Sequence, residues 1–381
     1  MDFAWTEEQN QLKDTIIRFA QKELNHHLVD RDRAAEFNRE GWKRCAELGI
    51  QGMPIPKAYG GSEADPLTTL CALEALGYSC RDNGLIFSIN AQMWTCELPI
   101  LTFGSEVQKK KYLPKLCSGE YIGGNAITEP DSGSDAYSLR MTAERRGDTY
   151  LLNGSKVFST NAPVADLVVV FATVDKSKGP YGITGFLVER GFPGFSVSRH
   201  IDKMGVRTSP MGEVVLENCE VPVEHRLGPE GAGVSIFSHS MEWERGCILA
   251  SAVGAMQRQL EVCLQYARQR QQFGKPIGKF QLVASRIVDM KIRLETARSL
   301  LYKVGWLKRM DQSALLDAAL AKLYISESWV QSCLDALQIH GGYGYMTEVE
   351  LERELRDALG SRIYSGTSEI QRQIIAQLMG L

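Results

Sequence analysis

Apolar positions recur at near-helical spacing close to the N-terminus of the chain. Thr6 precedes them as a suitable N-cap, and two acidic residues, Glu7 and Glu8, would occupy the first turn. The apolar positions are Leu12, Ile16, Phe19 and Leu24. This pattern predicts a helix, and residues 5 to about 120 are expected to be helical.

From about residue 125 to 229 the pattern changes to short β-branched and aromatic runs. The runs at 167–171, 185–188 and 213–216 are separated by turns rich in glycine and proline, and seven of the 13 prolines fall in this region. Such runs predict strands of an antiparallel barrel or sandwich.

After Pro276 the chain contains no proline, and its apolar residues step by three and four. These residues are Ile287, Met290, Leu294, Ala297, Leu301 and Val304. Their spacing predicts the seam of a helix pair or bundle. The expected domains are an N-terminal helical domain at 1–124, a β domain at 125–229 and a C-terminal helical bundle at 230–381.

The composition disfavours some classes of function but does not indicate a specific activity. Lys and Arg total 43 against 46 Asp and Glu, a net charge of -3 that disfavours nucleic-acid binding. The longest strongly apolar run, 167–172, is too short to cross a membrane. Nine scattered cysteines without a close pair predict reduced thiols and a cytoplasmic location, and the six histidines form no metal-binding motif.

Two polar segments are candidates for ligand binding. Residues 125–135 and 153–161 combine hydroxyl groups, amides and glycines next to predicted strands. They could form a cradle for a planar heteroaromatic ligand, or they could be ordinary turns. The glycine patterns of P-loop and Rossmann nucleotide sites and the serine elbow of hydrolases are absent from the sequence.

Five segments decide between these alternatives. Residues 128–135, 268–278, 338–345, 356–357 and 363–372 read TEPDSGSD, RQRQQFGKPIG, QIHGGYGY, RD and IYSGTSEIQR. Together they resemble the signatures of the acyl-CoA dehydrogenase family, in order and spacing over essentially the whole chain. The resemblance implies an α+β fold with an N-terminal helical domain, a middle antiparallel β domain and a C-terminal four-helix bundle. It also implies noncovalent FAD and a homo-oligomer, usually a tetramer.

The resemblance assigns cofactor-binding roles by position. The isoalloxazine ring would contact Ile127, Thr128 and Ser134, with Phe158 and Thr160 on its other side. Phe158 stands where many relatives have tryptophan. The pyrophosphate and ribose end would be held by Thr367 and Glu369, and a neighbouring subunit would contribute Arg270, Phe273, Gln281, Gln338 and Gly342.

The catalytic base is where this sequence departs from many relatives. Ser365 occupies the position of their glutamate, and a serine cannot remove a weakly acidic proton unaided at neutral pH. Glu244 matches the base of the isovaleryl-type branch, whereas Glu242 would face elsewhere on the same helix. The resemblance gives Ser365 a second role, in which its backbone N–H polarises the thioester carbonyl. The alternative is that Glu244 only pairs with Arg245 or with a lysine at the surface.

Residues 123–130, 240–247 and 363–368 most resemble the prolyl-carrier-protein branch, which oxidises an L-prolyl thioester. The expected partner is then a peptidyl or acyl carrier protein, and the electron acceptor is oxygen or an electron-transfer flavoprotein. Arg245 and Trp243 would contribute to the substrate pocket, and Arg199, Lys203 and Arg207 could meet an acidic carrier. Two other functions stay open, a short branched-chain acyl-CoA dehydrogenase and a non-catalytic flavoprotein.

Overall fold

The computed structural model describes residues 4–381, so the first three residues of the predicted N-terminal domain lie outside it. Helices occupy the first part of the chain. They are α1 Glu7–Glu23, α2 Leu28–Ala34, α3 Arg39–Glu47, α4 Pro66–Ser79, α5 Asn83–Gln92, α6 Leu98–Phe103 and α7 Glu106–Cys117. A π-helical turn, Met93–Glu97, joins α5 to α6.

The N-terminus of α1 confirms its predicted cap. The Thr6 side chain accepts a hydrogen bond from the Gln9 backbone N–H, and the Gln9 side chain accepts one from the Thr6 N–H. This reciprocal pair satisfies two donors that the first helical turn would otherwise leave without partners.

Strands form the middle of the chain. They are β1 Gly123–Ala126, β2 Thr142–Arg146, β3 Thr149–Thr160, β4 Leu167–Thr173, β5 Ile183–Glu189, β6 Phe195–His200, β7 Met211–Pro222 and β8 Arg226–Leu227. The pairing order is β6-β7-β3-β2-β4-β5-β8, and β1 pairs with β4.

Two strand pairings in the predicted antiparallel β domain are parallel. β1 runs parallel to β4, with Gly123 opposite Leu167 and Ala126 opposite Val170. β2 also meets β4 in parallel orientation, at Thr142 and Thr173. All seven residues of β4 are buried, which fits a strand covered on both faces. The sheet is therefore mixed, although most of its pairs are antiparallel.

The last part of the chain returns to helices. They are α8 Gly233–Cys247, α9 Ala250–Gln269, α10 Gln281–Arg309, α11 Leu315–His340, α12 Leu351–Gly360 and α13 Ser368–Leu378, with the short strands β9 Gln271–Gln272 and β10 Lys275–Pro276 before α10. The predicted seam of α10 is confirmed, because Ile287 is half-buried against the core and the other five residues are buried: Met290, Leu294, Ala297, Leu301 and Val304. The order of helices, strands and helices is as predicted, while the boundaries at 124 and 229 stay a prediction.

Helices α4 and α9 cross closely enough to require glycine on both. A Cβ atom at Gly254 would lie 2.0 Å from the Glu74 carbonyl oxygen, and one at Gly77 would lie 2.0 Å from the Ser251 carbonyl oxygen. This contact joins the N-terminal helices to the C-terminal bundle and continues into one apolar core. The strands enclose a second, smaller core.

Gly254→Ala is expected to destabilise the protein, because the added methyl group must push α4 and α9 apart. Overpacking of this kind costs about 1–3 kcal/mol, and each kcal/mol lowers the Tm by about 2–4 °C in a large domain. The measurement is thermal unfolding of the variant beside Gly191→Ala, since a Cβ at Gly191 meets nothing within 4 Å. Equal Tm values for the two variants would contradict the close helix crossing.

Candidate active site

A cavity of about 690 Å³ opens where the N-terminal helices, the sheet and the C-terminal bundle meet. We call it the central cavity. Its walls include residues from α5, β3, α8 and α12 and from the loops that follow β1, β6 and α12. The predicted site residues that line it are Ile127, Thr128, Ser134, Phe158, Thr160, Glu244, Arg245, Ser365 and Thr367.

Glu244 lies on α8 with its carboxylate in the central cavity. Its Oε1 atom accepts a hydrogen bond of 2.7 Å from the Ser365 hydroxyl. Burial raises the pKa of the Glu244 carboxyl above its ordinary value, although this hydrogen bond and the charges of Arg245 and Lys322 oppose the rise. Glu244 is 7% exposed, which excludes an ion pair with a lysine at the surface, while its role as the base stays a prediction.

Glu242 faces away from the central cavity, as the helical geometry predicts. Its carboxylate forms an ion pair with Lys308 and accepts a hydrogen bond of 2.9 Å from the Ala314 backbone N–H. Two glutamates on one helical turn thus have separate environments, and only Glu244 reaches the cavity.

Ser365 and Gly366 form the turn that brings the C-terminal motif against Glu244. Ser365 has a φ of 58° and Gly366 a φ of 87°. A left-handed conformation is unfavourable for serine, and such strain persists only where surrounding contacts hold it. Here the Arg245 Nε atom donates to the Ser365 carbonyl oxygen at 3.3 Å.

Ser365→Ala is expected to move the acidic limb of the rate profile to higher pH, because the variant loses a hydrogen bond that favours ionised Glu244. At a pH on that limb, flavin reduction is expected to be up to about tenfold slower than in wild type, since a hydrogen bond to a charged group is worth about 1.5 kcal/mol. Stopped-flow absorbance of the flavin measures both effects.

Ser368→Ala is the matched control for that substitution. The Ser368 hydroxyl also donates to a glutamate, Glu327, at 2.6 Å, but neither residue lines the central cavity. Unchanged kinetics in Ser365→Ala, or equal losses in both variants, would contradict the role of the Ser365 hydroxyl.

The loop after β1 is tied to β3 by a buried ion pair. The Lys156 Nζ atom lies 2.7 Å from Glu129 Oε1 and also donates to the Ile127 carbonyl oxygen at 3.0 Å. The Glu129 carboxylate accepts further bonds from the backbone N–H groups of Arg140 and Met141. Although burial opposes it, these bonds hold the pKa of Glu129 below its ordinary value. The loop after β1 is therefore held to β3 by side-chain contacts within the chain.

Phe158 reaches the cavity through an irregularity in β3. The register between β3 and β7 shifts between Lys156 and Ser159, and Phe158 has a φ of 55°. The bulge turns its ring outward, so that the side chain is 61% exposed although it lines the central cavity. Thr160 follows at the end of the same strand.

The loop 201–206 forms another wall of the central cavity, which the sequence patterns did not predict. Arg356 Nη1 donates to the Met204 carbonyl oxygen at 2.8 Å, and Asp357 accepts a hydrogen bond of 2.5 Å from the Val206 N–H. Burial raises the pKa of Asp357 to about 7. A Cβ atom at Gly205 would lie 2.1 Å from the Arg356 carbonyl oxygen. The Arg-Asp motif at 356–357 thus holds this loop, a role that the motif alone did not reveal.

The three basic residues considered for carrier docking are engaged within the chain itself. Arg199 pairs with Glu213 at 3.2 Å, and Lys203 donates to the Ser209 carbonyl oxygen at 2.5 Å. The Arg207 Nε atom donates to a backbone carbonyl oxygen in α2 at 2.8 Å. A carrier protein would have to compete with these contacts.

Trp243 is not among the residues that line the central cavity, and its place in the substrate pocket stays a prediction. Its ring stacks on Trp94 with a centroid distance of 6.0 Å, and Lys308 lies 4.7 Å from its centroid. The reason is helical geometry, since neighbours on α8 point about 100° apart. Arg245, on the other side of Glu244, does line the cavity.

Six predicted cofactor residues lie outside the central cavity and at the surface of this chain: Arg270, Phe273, Gln281, Gln338, Gly342 and Glu369. Phe273 is 92% exposed, and the Arg270 guanidinium lies 5.8 Å from the centre of the Tyr343 ring. Glu369 is in the first turn of α13, two residues after the N-cap residue Thr367. The first five residues were expected to serve a neighbouring subunit, so their exposure on a single chain is compatible with that prediction.

Three family models cover almost the whole chain. They are the N-terminal, middle and C-terminal domains of acyl-CoA dehydrogenase, which match residues 6–120, 124–219 and 231–380. The chain belongs to the acyl-CoA dehydrogenase family.

Within this family, the chain is similar to proteins named for prolyl substrates. It is 43% identical to the L-prolyl-peptidyl-carrier protein dehydrogenase of Serratia sp., over 100% of this chain and 99% of that protein. The crystal structure of the prolyl acyl carrier protein oxidase AnaB is 57% identical, with a TM-score of 0.98 and coverage of 99% and 100%. The structure of PigA with FAD and proline is 43% identical, with a TM-score of 0.98 and full coverage of both chains.

The family's cofactor fits the residues around the central cavity. Thr128, Ser134 and Thr160 place hydroxyl groups in its wall, and the exposed ring of Phe158 offers a flat apolar surface. Gly133 leaves open space, because a Cβ atom there would meet nothing within 4 Å. Hydroxyl donors beside a flat surface suit a planar ring with several acceptors, such as the isoalloxazine of FAD.

The described residues 4–381 contain no group of acidic, histidine or cysteine side chains arranged to hold a metal ion. Nor does any helix in that range combine the length and apolar character that a membrane span requires.

Proposed function

We propose that this protein catalyses the FAD-dependent dehydrogenation of an L-prolyl thioester carried by a peptidyl or acyl carrier protein. The product would be a pyrroline- or pyrrole-2-carboxyl thioester for natural-product biosynthesis. The observation that carries the proposal is the Glu244 carboxylate, buried in the central cavity against Ser365. Full-length similarity to proteins named for prolyl carrier substrates supports the choice of thioester.

Glu244 would remove the proton from the carbon next to the thioester carbonyl. A desolvated carboxylate is a stronger base than one in water, and burial raises the pKa of Glu244 in this way. The Ser365 backbone N–H would donate to the carbonyl oxygen as negative charge develops there. The bound FAD supplies the acceptor for the hydride that leaves the substrate.

The apolar end of the central cavity suits a small ring. Phe87 and Tyr364 pack with ring centroids 4.6 Å apart, and Met241 also lines the cavity near Glu244. The Tyr364 hydroxyl stays protonated, because burial raises its pKa far above neutrality. These side chains would exclude water from the reacting carbon and fill the space that a longer acyl chain needs.

The proposal is tested by incubating the purified protein with prolyl-loaded carrier protein and measuring the mass of the carrier. A loss of two hydrogens is expected for a single oxidation, with free carrier protein as the control. Isovaleryl-CoA and isobutyryl-CoA test the alternative function, because a short branched-chain dehydrogenase would reduce its flavin with them. No mass loss, either in air or with an artificial electron acceptor, would reject the proposal.

We also propose that the protein acts as a homo-oligomer, with a tetramer expected. Leu282, Val288 and Ile292 of α10 are exposed, and so is Phe273, which is close to them in sequence. These exposed apolar side chains would be buried by packing against a second copy of the chain. The copy would bring Arg270 and Gln338 to the neighbouring cofactor. Sedimentation analysis tests the assembly, and a monomer that retains FAD would contradict it.

The electron acceptor and the location complete the proposal. Oxygen consumption during turnover distinguishes an oxidase from an enzyme that needs an electron-transfer flavoprotein.

All nine cysteines are free thiols and buried, which suits the cytoplasm as the proposed compartment.

A further inference from the structure

The Ser365–Gly366 turn is held from outside the central cavity by side chains that have no role in the chemistry proposed above. The Lys322 Nζ atom donates to the Gly366 carbonyl oxygen at 2.6 Å. The Gln371 Nε2 atom donates to the carbonyl oxygens of both Ser365 and Gly366, each at 3.0 Å. Together with Arg245, these side chains direct three donors at two consecutive carbonyl groups.

Lys322 is an unusual residue for its place in α11. It is 0% exposed, and its neighbours on the same helix, including Ala319, Ala321 and Ile325, are buried apolar residues. Within residues 4–381, no carboxylate lies close enough to form an ion pair with its ammonium group. Burying a charge without a direct partner is costly, and an apolar side chain of similar volume would be the more stable choice.

We propose that Lys322 is a positioning residue for the reaction. Its ammonium group, together with the Gln371 amide, holds the Ser365–Gly366 turn in the left-handed conformation that keeps the Ser365 hydroxyl on Glu244. The proposal rests on the proposed function, because it assigns these residues to the base of that reaction.

The conformation of the turn explains why it needs an anchor. Ser365 has a positive φ, which a flexible turn would relax, and relaxation would move both the hydroxyl and the backbone N–H of Ser365. The Gln371 amide packs directly against the turn, because a Cβ atom at Gly366 would lie 2.7 Å from Gln371 Nε2. Donors on the two carbonyl groups therefore fix the position of Ser365.

Lys322 also contributes charge to this part of the protein. The charged groups that face it are Glu244 and Arg245 from α8, Glu327 from its own helix and Glu369 from α13. Lys322 and Arg245 both favour the ionised form of Glu244. Without Lys322, Arg245 would be the single cation among the groups that act on the base.

The test compares Lys322→Met and Gln371→Leu with wild type, using steady-state turnover of prolyl-loaded carrier protein for kcat and KM and single-turnover flavin reduction for the pH profile. Lys308→Met is the matched control, because Lys308 is another largely buried lysine of the bundle whose ion pair is with Glu242. FAD content and the Tm of the FAD-loaded and FAD-free proteins are measured for every variant, so that a purely structural loss is recognised.

Misplacement of a reacting group by about 1 Å can cost on the order of a hundredfold in rate. We expect both turn variants to keep their FAD and their KM and to lose about tenfold to a hundredfold in kcat. Lys322→Met is also expected to move the acidic limb of the rate profile to higher pH, since a cation near Glu244 is lost. Gln371→Leu removes no charge and should move that limb less.

The outcomes separate this inference from the proposed function. An inactive wild type would reject the function itself. An active wild type with unchanged kcat and pH profile in Lys322→Met would overturn the role of Lys322, as would an equal loss of kcat in Lys308→Met. If Lys322→Met does not fold, Gln371→Leu decides, and a wild-type kcat in that variant overturns the anchoring of the turn.

Discussion

Glu244→Gln is expected to abolish reduction of the bound flavin by prolyl-loaded carrier protein, while the fold and the FAD content stay as in wild type. The amide keeps the shape of the side chain and its hydrogen bond with Ser365, but it cannot accept the α-proton. General base catalysis contributes about 10²–10⁴-fold to a rate, so we expect a loss of at least about a hundredfold.

Anaerobic stopped-flow absorbance measures this loss directly, because only the reductive half of the reaction is observed. Glu242→Gln is the matched control. It is the same substitution two residues earlier on α8, in a carboxylate that pairs with Lys308 outside the central cavity. The control should keep its rate of flavin reduction. A wild-type rate in Glu244→Gln with full FAD content would show that another group is the base.

The parts of the fold that the sequence predicts are those set by local contacts. The cap at Thr6 depends on residues within one helical turn, and the seam of α10 depends on spacing along one helix. The separation of Glu244 from Glu242 follows from the same helical geometry. In each case the residues that interact are close in sequence, so the pattern contains the information.

The features that the sequence did not predict depend on contacts between distant segments. The β2–β3 hairpin lies between β1 and β4 in the chain. In the sheet, however, β1 pairs directly with β4 in parallel orientation. Lys322 lies 44 residues before the Gly366 carbonyl group that it binds. A single lysine in an apolar helix is a signal of a buried polar contact, but it does not identify the partner.

Trp243 shows that neighbouring residues of one motif can face different parts of the protein. The residue adjoins Glu244 and Arg245, which both line the central cavity, yet its ring turns to Trp94 in the core. The direction of each side chain follows from its angle on α8.

The rate of flavin reduction in wild type is expected to fall at a higher pH than an exposed glutamate would require. Burial raises the pKa of Glu244, and the hydrogen bond from Ser365 and the charges of Arg245 and Lys322 only partly oppose it. The reaction needs the ionised carboxylate. A raised pKa therefore means that the active form is lost earlier as the pH decreases, by about tenfold for each pH unit below that pKa.

Single-turnover rates across the acidic range measure this limb, and comparison with Ser365→Ala assigns it. The amine of the prolyl substrate also titrates, but it does so equally with both proteins, so a difference between their profiles belongs to the enzyme. Ser365→Ala removes an interaction that favours ionised Glu244, and its limb should lie at higher pH than that of wild type. A wild-type rate that stays constant down to the range of an exposed glutamate would contradict the burial of the base. Superimposable profiles for the two proteins would instead show that the limb belongs to the substrate.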